Sequence, residues 1–149
     1  MQMEDILEPG RCFCKVEGVS KKRLLTSCSQ LIGEQLPHLD AEVILQSLMA
    51  REQLGSTAVG NGIAIPHCRI PNCSQILGSL VTLESAIDFD APDNKPVDIL
   101  FILLVPEAQH DEHIKTLAGL AGLFSDEDFC YTLRHTFDSD DLYNIAITY

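Results

Sequence analysis

His67 is the residue of this chain best suited to nucleophilic chemistry, because of what precedes it. Glycines at positions 55, 60 and 62 lead into the apolar run Ile63-Ala-Ile65-Pro66, and the histidine follows at once. Glycines so dense forbid a regular element, so the backbone there turns sharply or comes close to something. Pro66 fixes its own φ and has no N–H to donate, which suits the end of a strand. His67 is thereby expected at that strand's C-terminal end, where open α/β sheets place their ligand sites. A neutral imidazole, with an unperturbed pKa of about 6.5, keeps a lone pair free near pH 7. Nucleotide-binding loops fail on spacing. Asn61 follows Gly60 where a P-loop needs lysine, and Gly60 and Gly62 lack the third glycine of a dinucleotide turn. On residue types alone, a structural histidine beside a tight turn accounts for the same stretch, and both readings stand.

The six cysteines are the other candidate chemistry. Structural zinc sites use paired ligands such as C-x₂-C with a matching second pair. Cys12 and Cys14 are too close for that, Cys68 and Cys73 have no second half, and Cys28 falls in an apolar helical pattern as a small core residue. No metal and no cofactor are expected, and the thiols are read as free. His38 and His135 have no companion residues and are read as surface positions.

The elements that must position His67 can be traced along the chain. Ser20 caps a helix with Leu24, Leu25, Cys28, Leu31 and Ile32 on one face, ended by Pro37. Asp40 caps a second, with Val43, Ile44, Leu48 and Leu54 inward and Gly55 closing it. Ile76 to Leu83 is predicted as a strand, and Ile87-Asp-Phe89-Asp alternates into the turn-rich Ala91 to Pro96. Val97 to Val105, bounded by Pro96 and Pro106, suits a central strand covered on both faces. The C-terminal third is predicted helical. Ile114, Leu117, Ala118, Ala121 and Phe124 form one stripe, with Asp111 and Glu112 in its first turn, where the helix dipole favours anions. Phe129, Leu133 and Phe137 mark a second helix, and Leu142 and Ile145 a short last one. The expected fold class is α/β: a single domain, residues 1–149, with a mixed β-sheet covered by helices on both faces.

Composition excludes several function classes. With 46% hydrophobic and 21% charged residues the chain is a packed globular protein. A net charge of -12 at pH 7 argues against nucleic acid and anionic lipid as partners. The acidic start, Met1-Gln2-Met3-Glu4-Asp5, is followed by no long apolar run, so no signal peptide and no membrane insertion are expected, and the localisation is read as cytoplasmic.

The stretch Arg51-Glu-Gln-Leu-Gly-Ser-Thr-Ala-Val-Gly60-Asn-Gly-Ile-Ala-Ile-Pro-His67 resembles the active-site signature of type-2 IIA domains of the bacterial phosphotransferase system, the mannitol/fructose-like and nitrogen-regulatory group. The resemblance continues through Phe89-Asp-Ala-Pro-Asp-Asn-Lys-Pro-Val-Asp-Ile-Leu-Phe101, Leu103-Leu-Val-Pro106 and His113-Ile-Lys-Thr-Leu117, and so covers nearly the whole chain. It implies that His67 is the phosphoryl acceptor, His113 a second active-site histidine and Arg51 an arginine beside the phosphohistidine. His110 is three residues from His113, but His113 directly precedes the matching Ile-Lys-Thr-Leu. Arg51 has a rigid fork of donors for phosphoryl oxygens, although it could equally cap its helix. A histidine in a helix's first turn would add the dipole's positive end, and Gly60 and Gly62 would bring backbone N–H groups to the phosphate. Two positions depart from the pattern. Cys68 stands where many members have glycine, and Arg69 where many have lysine. An exposed Cys68 with a pKa depressed by Arg69 would make the site sensitive to oxidation.

The Gly55-Ser-Thr and Gly60 to His67 segments are most similar to the nitrogen-regulatory branch, and no IIB-like segment accompanies them. That branch implies phosphohistidine transfer from a histidine phosphocarrier protein, with partners such as potassium transporters or sensor kinases controlled by the phosphorylation state. Two alternatives are a sugar-specific IIA component relaying phosphate to a IIB domain, and an interaction module that keeps the fold without being phosphorylated.

Overall fold

The computed structural model describes residues 2–108 and 112–149, Glu112 by its backbone. Asp111 and His110 lie outside the described residues. The expected α/β architecture holds: a six-stranded mixed sheet with helices on both faces. In chain order the elements are α1 (Met3–Ile6), a 3₁₀ turn (Pro9–Arg11), β1 (Cys12–Val16), α2 (Lys21–Gln35), α3 (Ala41–Leu54), β2 (Ala58–Gly60), β3 (Ile63–Ala64), β4 (His67–Ile70), β5 (Leu77–Ile87), β6 (Val97–Pro106), α4 (Glu112–Phe124), α5 (Glu127–Arg134) and α6 (Ser139–Thr148).

β6 organises the rest. It runs antiparallel to β5, and β5 is parallel to β1. Along its other edge lie two short parallel strands in line, β3 opposite Ile99 and Leu100 and β4 opposite Leu103 to Pro106. β2 then pairs antiparallel with β3. Side chains alternate across β6, so its apolar run Ile99 to Val105 serves two cores at once. Leu100, Ile102 and Leu104 face α2 and α3, against Leu24, Leu25, Cys28, Ile32, Ile44 and Leu48. Ile99, Phe101, Leu103 and Val105 face the C-terminal helices, against Leu120, Phe124, Phe129, Leu133 and Leu142.

The predicted caps are present. Ser20 Oγ accepts from Arg23 N at 3.2 Å, and Asp40 Oδ1 accepts from Glu42 N at 2.9 Å. Gly55, at φ +151°, ends α3 in a backbone region closed to side-chain-bearing residues. Other expectations need correction. Leu54 is 85% exposed, on the rim of a cleft that it shares with His67 rather than in the core. Phe137 lies beyond the end of α5 and is 78% exposed, with Lys15 Nζ 5.1 Å from its ring centre. In α4 the buried row is Thr116, Leu120 and Phe124, and Ile114 is 59% exposed. That helix is apolar nearly all round, so the side that packs is chosen by the sheet rather than by the pattern. β1 and α1 add to the elements that the sequence predicts.

Candidate functional site

His67, Arg51 and His113 line one cleft of ≈ 480 Å³, together with Ser47, Leu54 and Val105. α3 supplies one wall: Ser47, Ala50, Arg51 and Leu54 are spaced along a single helical stripe. β4 supplies His67, and the start of α4 supplies His113. The elements come from three parts of the sequence and meet at the sheet edge beside β6.

His67 stands at the beginning of β4, opposite Leu103, not at the C-terminal end of a strand as expected. The reason is Pro66. It interrupts the line of strands along β6 without ending it, since its carbonyl still accepts from Leu103 N at 2.8 Å. The ring's Nδ1 lies 2.8 Å from the carbonyl oxygen of Ile65. A carbonyl only accepts, so Nδ1 carries the hydrogen, and in the neutral ring Nε2 keeps the free lone pair. Burial, followed by the nearby charges of Arg51 and His113, holds the His67 pKa below its ordinary value, against the Ile65 hydrogen bond and Glu52. The ring is therefore neutral near pH 7, with the Nε2 lone pair free.

This lowered pKa has a stability consequence. Below about 6.5 the unfolded chain takes up the proton more readily than the folded one, so acidification through that window destabilises the fold. Above it the His67 contribution is fully retained. A His67→Gln variant is expected to show a flatter dependence of urea midpoint on pH between about 5 and 7. An unchanged slope would mean that His67 titrates as a solvated side chain.

Arg51 closes the helix end that holds it and lies near enough to His67 to influence its charge. Its Nη1 donates to Gly55 O at 2.8 Å, capping α3, and its charge is felt at His67. His113 is half-buried, and its Nδ1 is shut off from solvent with no hydrogen-bond partner among the described residues. His38 and His135 are exposed, as expected.

The expected oxidation-sensitive thiol is overturned. Cys68 is only 8% exposed, packs into the α2–α3 core, and burial pushes its pKa up to about 12. Arg69 points the other way along the alternation of β4, away from the thiol. The phosphate-cradle expectation for Gly60 and Gly62 also fails. With Asn61 they form the β2–β3 turn, at φ +99°, +56° and +83°. That turn precedes Ile63, which pairs with Ile99, whereas His67 pairs with Leu103. At the rise of a strand this is roughly 13 Å away. There Arg134 donates through Nε to both Asp98 carboxylate oxygens and through Nη2 to Asn61 O at 2.8 Å. A Cβ on Gly62 would lie 2.6 Å from that Nη2. The glycines make room for a clamp at the far end of β6, in a separate cleft of ≈ 520 Å³ that no histidine among the described residues lines.

Sequence reasoning passed over Glu52 and Thr57, although both lie inside the quoted motif. Glu52 is 7% exposed, and its carboxylate accepts from Thr57 N at 3.1 Å and from the Thr57 hydroxyl. Lys21 Nζ is 2.8 Å from the same carboxylate. An acid in the last turn of a helix, with no basic neighbour in sequence but Arg51, was the available signal. Among the described residues no three His, Cys, Asp or Glu side chains are grouped to hold a metal, and no helix is long and apolar enough to cross a membrane.

The sequence and the sheet with its flanking helices match a known family. The chain belongs to the EIIA 2 family of the phosphoenolpyruvate-dependent sugar phosphotransferase system, whose profile matches residues 5–148. Its similarity extends over full length to nitrogen regulatory proteins. It is 44% identical over 147 residues to that of Pseudomonas aeruginosa, covering 99% of this chain and 96% of the relative. For that of Escherichia coli K12 the figures are 40% over 146 residues, 97% and 89%. The crystal structure of nitrogen regulatory protein IIA-Ntr from Neisseria meningitidis superposes with a TM-score of 0.87 at 37% identity, covering 95% of this chain and 97% of that one. IIA mannitol from Escherichia coli, at 17% identity and a TM-score of 0.78 over 94% of this chain and 98% of that one, shares the fold.

Proposed function

We propose that residues 1–149 form one phosphocarrier domain of the nitrogen-related phosphotransferase system, with His67 as acceptor. The observation that carries this is the Nδ1 to Ile65 O hydrogen bond, which leaves Nε2 of a cleft-lining imidazole as the nucleophile. The donor is the phosphohistidine of a histidine phosphocarrier protein. Nε2 attacks phosphorus in line, the donor N–P bond breaks as the new one forms, and the donor ring keeps the electron pair. One imidazole replaces another, so the exchange is close to isoenergetic and reversible. Such a transfer asks the protein for positioning and for charge on the equatorial oxygens, which Arg51 and His113 supply. The phosphoryl group adds about two negative charges at a docking surface, enough to release or recruit a regulatory target such as a potassium transporter or a sensor kinase.

Intact mass after incubation with phosphoenolpyruvate, the nitrogen-branch enzyme I and its phosphocarrier tests this directly, beside the sugar-branch pair. One acid-labile phosphoryl group is expected, absent in His67→Ala, and gained faster from the nitrogen-branch donor. Faster gain from the sugar-branch pair would reassign the chain to sugar relay. No gain from either would leave a module that binds partners without phosphorylation.

A further inference from the structure

We propose that Glu52 is a positioning residue for His67, acting through Thr57 to hold the acceptor imidazole in its Nδ1–H tautomer; this rests on His67 being the phosphoryl acceptor.

The connection is a continuous set of hydrogen bonds. Glu52 Oε1 accepts from Thr57 N at 3.1 Å and Oε2 accepts from the Thr57 hydroxyl, so both carboxylate oxygens hold the one residue. Thr57 O accepts from Ile65 N at 3.0 Å. Ile65 O accepts from His67 Nδ1 at 2.8 Å. Between them, Pro66 has no N–H to contribute, and its carbonyl is tied to Leu103 N at 2.8 Å. The Ile65 carbonyl is thus aimed by Thr57 on one side and by β6 on the other. If Thr57 loosens, the Ile65 peptide gains freedom to turn. The imidazole then samples the Nε2–H tautomer, in which the nitrogen meant to attack carries a proton.

A buried carboxylate is a costly way to end a helix, and Gly55 with Arg51 already closes α3. What the carboxylate adds is a two-point grip on the residue from which the His67 segment hangs. Ser56 does not duplicate it. Its hydroxyl donates to Phe89 O at 2.6 Å, toward a different loop.

The test is ¹⁵N NMR of the His67 ring nitrogens at pH 7 in the full chain, with initial rates of phosphoryl gain from the phosphocarrier. Wild type and Thr57→Ser, which keeps the hydroxyl, are expected in the Nδ1–H form. Thr57→Val and Glu52→Gln are expected to show mixed tautomers and to accept phosphate about 10-fold more slowly, with the donor's KM unchanged. Because Glu52 acts through Thr57, Glu52→Gln is expected to add little in the Thr57→Val background. Folded Thr57→Val with the wild-type tautomer would overturn the proposal, and so would additive effects of the two changes. The tautomer is read without any donor. A shifted tautomer in variants of a chain that never accepts phosphate would therefore uphold the relay and reject the phosphocarrier function.

Discussion

Replacing His113 with leucine is expected to slow phosphoryl acceptance at His67 by about 10²–10³-fold, the usual cost of removing one aimed donor, while raising stability by about 1 kcal/mol. The opposite signs come from one observation. His113 Nδ1 is sealed from solvent and has no partner among the described residues. Such an orphan burdens the free protein, and an apolar side chain of similar bulk removes the burden. Unsatisfied groups persist where a reaction uses them, and under the proposed function a phosphoryl oxygen on His67 would give this nitrogen a partner. Losing the neighbouring imidazole also relieves one of the smaller influences lowering the His67 pKa, so its midpoint should rise while burial still holds it down. Urea unfolding and quenched-flow rates read the two effects separately. A variant destabilised and slowed in proportion would show His113 to be a packing residue.

Lys21→Met is expected to cost about 3–5 kcal/mol, because it strands the Glu52 carboxylate in the interior without its cation. The Lys21 side chain is 16% exposed and that of Glu52 only 3%, with Nζ 2.8 Å from Oε1. The ammonium also lies 4.6 Å from the centre of the buried Phe89 ring, which adds a cation–π term. Its second carboxylate, Asp90 at 3.7 Å, is 78% exposed and adds little. In the double variant Lys21→Met with Glu52→Gln no buried charge remains, and most of the lost stability should return. Urea midpoints with unchanged m-values decide it. A single-variant loss below about 1 kcal/mol would mean that water reaches the carboxylate.

Some of this architecture could be read before any coordinates. Ser20 and Asp40 announce two helices by local chemistry alone, and the run Val97 to Val105 announces a strand with a core on each side. His67 stands out by the glycines and proline before it, Arg51 and His113 by resemblance, and the fold brings all three into one cleft. What could not be read depends on tertiary partners. The glycines at 60 and 62 demand a turn but do not say at which end of β6 it sits; Asp98 and Arg134 decide that. Ile114 and Leu54 look buried by period and are exposed by placement. β1, with two cysteines and a lysine among its residues, carries no alternation strong enough to mark it and owes its conformation to β5. Cys68 illustrates the same limit. Its neighbour Arg69 suggests a reactive thiolate, while the face of the strand it occupies makes it a core residue.

That alternation decides which side chain of β4 faces the cleft. On β4, His67 is turned to the cleft, while Cys68 and Ile70 are turned inward. A slip of one residue against β6 would exchange the two faces, burying the imidazole and offering a thiol in its place. The chain opposes that slip at several points. Gly62 O accepts from Asp98 N at 3.0 Å, Thr57 holds Ile65, and Pro66 O holds Leu103. Strand register thus selects which element faces the cleft, nitrogen in the native alignment and sulfur one step away.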